Sequence, residues 1–143
     1  MLIEWTDALL VGHQRIDGDH KALVAMINRL HEAIEAGTNR DTISEILHFL
    51  AEQTYRHFKF EEWLMGASEF PEAKHHLACH RKLTDELDVL LYTMELSPDD
   101  SLLAAVDFFE NWFVGHVVRD DVVLARHLAG REIAAPLSEP PPS

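Results

Sequence analysis

The sequence predicts an all-α protein: an antiparallel up-down-up-down four-helix bundle with an irregular N-terminal arm. Three observations carry this. Four segments place apolar residues three or four positions apart for several turns, which is the spacing of one helix face. Their connections are short and hold helix-stopping or helix-starting residues: Gly37, then Gly66 with Phe70-Pro71, then Ser97-Pro98. No segment alternates with the period of two that a half-buried strand requires.

Residues 1 to about 16 form the arm. Trp5, Leu9, Leu10 and Val11 are apolar without a sustained period, and Gly12 and Gly18 interrupt any helix there. Trp5 is expected to pack as a lid over the helical core. The first helix is expected from Asp17 or Asp19, either of which can cap. Its stripe is Leu23, Ile27, Leu30 and Ile34; one turn back lies His20, which therefore points inward. Ala36-Gly37-Thr38-Asn39 ends it. The second helix starts near Asp41 or Thr42 and ends near Gly66. Its stripe is Ile43, Leu47, Leu50, Thr54, His57, Glu61 and Leu64, so His57 and Glu61 occupy core positions one turn apart.

Pro71 stands at or near the start of the third helix, whose stripe is Ala73, His76, His80, Leu83, Leu87, Leu90 and Met94. Ser97-Pro98-Asp99-Asp100 reads as a turn and cap. The fourth helix carries Leu102, Val106, Phe109, Phe113, His116 and then Asp120 or Asp121, and stops at Gly130. Residues 1–130 are thus expected to form one domain. Residues 131–143, with Pro140-Pro141-Pro142, form a Pro-rich tail expected to be mobile.

The composition narrows the function. A net charge of −13 disfavours nucleic acid and anionic membrane surfaces, which reward Lys and Arg patches. No apolar run approaches the roughly 18 residues of a membrane span. The first residues lack the basic start and apolar core of a signal peptide, so a cytoplasmic location is the expectation. Cys79 is the single cysteine, which excludes an intrachain disulfide.

Each helix carries a metal-capable residue on its apolar face. These are His20; His57 and Glu61; His76 and His80; and His116 with an aspartate. One inward histidine is commonly a hydrogen-bonded core residue. Seven donors on four stripes leave many polar groups needing partners in one core, and a metal centre supplies them. Imidazole and carboxylate suit iron or zinc and exclude a thiolate-rich site. Seven donors exceed the needs of one ion, so two ions are expected, with carboxylates able to bridge them.

The sequence resembles the hemerythrins, specifically the single-domain bacterial type, from Trp5 to about Leu128. The matching motifs are Ile16-Asp17-Gly18-Asp19-His20-Lys21 and His57-Phe58-Lys59-Phe60-Glu61-Glu62. They continue with Phe70-Pro71 followed by His76 and His80, and Asn111-Trp112 followed by His116 and Asp121. The resemblance implies a non-haem di-iron site that binds O₂ reversibly. It implies that His76, His80 and His116 hold one iron and that His20 and His57 hold the other. Glu61 and Asp121 bridge, with a solvent-derived oxo or hydroxo group. Three imidazoles and three bridging oxygens fill the first iron; two and three leave one open position on the second, where O₂ binds. Phe113, one turn before His116, is the candidate wall of an O₂ pocket, with Phe58 and Trp112 as further candidates; ordinary core packing is the alternative for all three.

Two positions depart from the family pattern. The family commonly has Gln before the first histidine ligand; here it is Asp19, read as a cap or as support behind a ligand. Ideal α-geometry puts Asp120 on the face of His116 and Asp121 about 140° away. The family's spacing of five selects Asp121, and a local π-type widening reconciles the two. Asp121 is taken as the ligand, with Asp120 the alternative. His13, His31, His48, His75 and His127 read as surface or boundary residues, Cys79 as a structural thiol, and Glu62 as facing solvent or supporting a ligand.

The leading expectation is O₂ carriage, storage or delivery without enzymatic turnover. The alternatives are an O₂ or redox sensor acting on a separate protein partner, and a di-iron oxidase or an enzyme handling nitric oxide or peroxide.

Overall fold

The computed structural model describes residues 2–96 and 98–131, apart from the side chains at 95, 96, 98–103, 114, 117 and 118. The proposed tail beyond Arg131 and the capping position Ser97 lie outside the described residues. Among those described there are helices and no strand. The helices are α1 (Gln14–Glu35), α2 (Arg40–Ala67), α3 (Ala73–Leu96), α4 (Pro98–Trp112) and α5 (Val122–Leu128). A nine-residue π-helical segment, Phe113–Asp121, joins α4 to α5. Helix α1 packs on α2, α2 on α3, α3 on α4, and α4 back on α1.

Helix α1 begins earlier than expected. His13 is its cap, its Nδ1 accepting from the Ile16 N–H at 3.2 Å. Gly18 lies inside the helix rather than interrupting it. Asp17 does not cap either; its carboxylate accepts from the Val11 and Gly12 N–H groups at 2.8 and 3.2 Å and fastens the arm. The true break is Gly12, whose φ of 101° suits glycine alone. Helix α1 ends as expected: Thr38 N–H donates to the Ala33 carbonyl and Gly37 N–H to Ile34, with Gly37 at φ 67°.

Helix α2 is capped by Asn39, whose side chain accepts from Thr42 N–H at 2.9 Å. It runs one residue past Gly66. The left-handed position that ends it is Glu69, with φ 53°. Pro71 sits in the turn before α3, and Pro98 is the first residue of α4, where its missing N–H costs nothing. Residues 98–100, expected in a turn, therefore belong to α4. Helix α5 ends at Leu128, before Gly130 at φ 77°.

The core has two apolar layers. The larger contains Leu23, Ile27, Leu47, Leu50, Phe58, Leu87, Phe109 and Phe113. The smaller contains Ile16, Phe60, Leu64, Met65, Phe70, Leu124 and Leu128. Helices α1 and α2 run from one layer into the other, α4 contributes to the larger and α5 to the smaller, and the buried histidines with Glu61 and Asp121 lie on the stretch between.

The arm closes the larger layer. Trp5 is half-buried against it, as expected. Ile3 is buried and its backbone pairs twice with Asn28: its N–H donates to Oδ1, and Asn28 Nδ2 donates to its carbonyl, both at 2.8 Å. Asn28→Ala strips both partners from a buried peptide group. The expected loss is about 2 kcal/mol of unfolding free energy, read as a lower urea midpoint.

Candidate metal centre

All seven inward donors are buried, and they converge. Glu61, His76, His80, His116 and Asp121 form one group; His20, His57, Glu61 and Asp121 form a second. The two carboxylates belong to both, and their oxygens divide between them. Glu61 Oε1 lies 3.1 Å from His76 Nε2 and 3.0 Å from His80 Nε2, while Oε2 lies 3.2 Å from His57 Nε2. Asp121 Oδ1 lies 3.1 Å from His76 Nε2 and 3.0 Å from His116 Nε2, while Oδ2 lies 2.9 Å from His20 Nε2.

The choice between Asp120 and Asp121 is a matter of backbone geometry. Residues 113–121 are wound with π-type hydrogen bonding, which stacks residues five apart. Asp121 therefore joins the inward face of His116. Asp120 moves to the outer edge of the same ring, its Oδ2 accepting from His116 Nδ1 at 3.1 Å.

Two further carboxylates do the same for other rings. Asp19 Oδ2 lies 3.1 Å from His57 Nδ1, and Glu62 Oε2 lies 3.3 Å from His80 Nδ1. A ring that donates Nδ1–H outward presents a bare Nε2 lone pair inward, with its orientation fixed. Asp19, Glu62 and Asp120 share a signal in the sequence: each is an acid next to an inward donor, beside His20, Glu61 and Asp121 respectively. Sequence reasoning placed Asp19 and Glu62 near the site but did not name the rings they hold.

The inward set fits a pair of cations on three grounds. First, His80 Nε2 faces His116 Nε2 at 3.1 Å, and the outward bonds leave both as lone pairs, which repel unless a cation lies between them. Second, Glu61 Oε2 and both Asp121 oxygens are buried without a well-aligned hydrogen bond. Third, most contacts within each group run from 2.9 to 3.2 Å, with His116 Nε2 to Glu61 Oε1 longer at 3.9 Å. Six donors about 2.1 Å from one ion lie about 3.0 Å from their neighbours.

The field inside the cluster points the same way. Burial disfavours a charged His57, yet Glu61 beside it and the bonds to Asp19 and Glu61 hold it up at about 10. Burial is likewise outweighed at His76, held at about 9 by Asp121 and Glu61. Burial also opposes ionisation of Glu61 and Asp121, but the surrounding imidazoles keep both below the usual carboxylate range. The cluster thus demands positive charge, as protons or as metal.

The sign of the pH effect follows. Raised imidazoles stabilise the metal-free fold fully below their ordinary value of 6.5 and lose that contribution as pH rises through about 9 to 10. Lowered carboxylates contribute above their ordinary range near 4 and lose it in acid. The metal-free protein should therefore melt highest between about pH 4.5 and 6.5 and progressively lower toward pH 10. The metal-loaded protein should vary far less over the alkaline limb. Thermal melts of both forms across that range check this.

The aromatic residues separate into two groups. Phe113 is fully buried, edge-on to His20 at 5.6 Å between ring centres. Phe58 stacks on His80 at 4.1 Å, and Trp112 lies parallel to His116 at 6.5 Å. Phe113 thus borders the two-histidine group, while the closest ligand stacking of Phe58 and Trp112 is against the three-histidine group. Of the remaining histidines, His13 caps α1, His31 pairs with Glu35 at 3.2 Å, and His48 and His75 are exposed. His127 Nε2 donates to the Ser68 carbonyl at 2.9 Å and ties α5 to the end of α2.

An all-helical fold around a buried histidine and carboxylate cluster defines a helical metal-binding protein. The family model for the hemerythrin HHE cation binding domain matches residues 11–128. A protein named bacteriohemerythrin from Pseudomonas aeruginosa is 31% identical over 119 residues, covering 82% of this chain and 75% of its own. A bacteriohemerythrin from Ralstonia nicotianae is 31% identical over 134 residues, covering 91% of each chain. A hemerythrin-like protein from Naegleria gruberi is 26% identical over 119 residues, covering 82% and 87%. The chain belongs to the hemerythrin family. No helix among the described residues is long and apolar enough to cross a membrane.

Proposed function

We propose that the seven inward residues hold two non-haem iron ions and that the protein binds O₂ reversibly, for carriage, storage or delivery rather than turnover. The observation that carries this reading is the division of the carboxylate oxygens. Glu61 and Asp121 each turn one oxygen to a three-imidazole group and one to a two-imidazole group. His76, His80 and His116 then complete one position, with a bridging oxo or hydroxo group between the ions. His20 and His57 leave the other position one donor short. The iron pair, when bound, supplies the two electrons that reversible O₂ binding takes up and returns.

The chain's own residues set the conditions for reversal. Asp19, Glu62 and Asp120 fix the rings of His57, His80 and His116, so the donors need no rearrangement. Phe113 walls the two-histidine side with an apolar face, which keeps water from the open position. On that side the further acid, Asp19, is engaged with the outer nitrogen of His57, which favours binding over catalysis. In this reading the long helices run up-down-up-down in one antiparallel domain over residues 1–130, with 131–143 appended. The net charge of −13 supports a protein without a nucleic-acid partner, and a cytoplasmic location is part of the proposal.

The test is a visible spectrum followed through cycles of anaerobic reduction, O₂ exposure and argon purging. A coloured form that appears with O₂ and fades under argon over several cycles supports binding. Sustained consumption of O₂ or peroxide with each addition of reductant would instead make it an enzyme.

A further inference from the structure

We propose that His75, Cys79 and Asp120 form a separate surface site for one thiophilic divalent cation of the zinc class. None of the three belongs to the seven inward donors. Each offers a ligand atom, and these atoms all lie within 4.8 Å of one another. His75 and Cys79 are one turn apart on α3, with His75 Nε2 3.7 Å from Sγ. Asp120 comes from the π segment.

The site is held in shape before any ion arrives. The π winding turns Asp120 out of the core, and its bond to His116 Nδ1 at 3.1 Å fixes the carboxylate facing α3. Helix α3 fixes the other two. Cys79 and Asp120 both line a groove of about 380 Å³ between α3 and the π segment, which leaves room for a solvent ligand. Arg119 approaches Asp120 at 3.9 Å from an exposed position, and a divalent cation displaces so loose a pair at small cost.

The donor set selects the ion. Imidazole, thiolate and carboxylate with one solvent position is a tetrahedral set suited to zinc. The core cluster offers nitrogen and oxygen alone, so the two sites prefer different metals. Binding requires Cys79 to give up its thiol proton to solvent as the sulfur–metal bond forms.

Cadmium is the probe, added to the metal-loaded full chain. Because Cys79 is the single cysteine, an ultraviolet thiolate-to-cadmium band reports this site alone. The band should saturate at one Cd²⁺ per chain and be competed away by Zn²⁺. Cys79→Ser should abolish it, and His75→Ala should weaken binding at least tenfold, with the core metal content unchanged in both. A band absent from the wild type, or of equal affinity in His75→Ala, would show at most a lone thiol and overturn the site. Saturation at half an equivalent with dimer formation would place the ion between chains and overturn it equally.

Discussion

Glu61→Ala is expected to lower bound iron from two ions per chain to one at most. Glu61 has no exposed surface, and its oxygens lie between 3.0 and 3.2 Å from His57, His76 and His80. It is shared by both donor groups, so its removal takes a ligand from each and one negative charge from the pair. The helix should survive, because alanine is the best helix former and position 61 lies inside α2. The metal-free fold should lose stability, because the buried imidazoles of His57 and His76 keep their burial cost without the carboxylate that offsets it. Iron content should therefore fall while the far-ultraviolet helix signal stays. His57→Ala removes a donor from the two-histidine group alone, so one ion should remain with His76, His80 and His116. Retention of two irons in both variants would refute these roles.

Asp121→Ala and Asp120→Ala should behave oppositely despite being neighbours in sequence. Asp121 is fully buried and touches His20, His76 and His116 with its two oxygens. Its loss should empty the centre of paired metal. Asp120 touches the outer nitrogen of His116. Its loss should leave two ions bound, with affinity lower by about 10- to 100-fold, the usual cost of removing a carboxylate behind a histidine ligand. Metal content after dialysis against graded chelator separates the two. If Asp120→Ala were the variant that lost the pair, the π winding would not be what positions the bridging carboxylate.

The inward residues were legible because a helix stripe is a strong periodic signal. His57 and Glu61 continue the stripe begun by Ile43, Leu47 and Leu50, and all of these are buried. The same holds for His20 below Leu23 and for His76 and His80 above Leu87. Three features were not legible, each for a physical reason. The start of α1 was hidden because His13 is an unusual cap and because Gly18 is tolerated in a helix held by tertiary contacts. The end of α2 fell within one residue of Gly66 as expected, but the left-handed position after it is Glu69, which no glycine marks and where Met65 and Phe70 belong to one apolar cluster. The pairing of Asp19 with His57 and of Glu62 with His80 spans helices, and spacing along one helix carries no information about it. Asp121 was resolved by the five-residue spacing of the resembling family, because ideal α-geometry favours Asp120.

The central claim is that seven buried side chains enclose two ions rather than one. The measurement that tests it most directly is iron per chain after anaerobic reconstitution with ferrous iron and removal of the excess. Two irons per chain in the wild type is the expected result. Saturation at a single ion per chain, or preferential and exclusive uptake of one zinc, would contradict it.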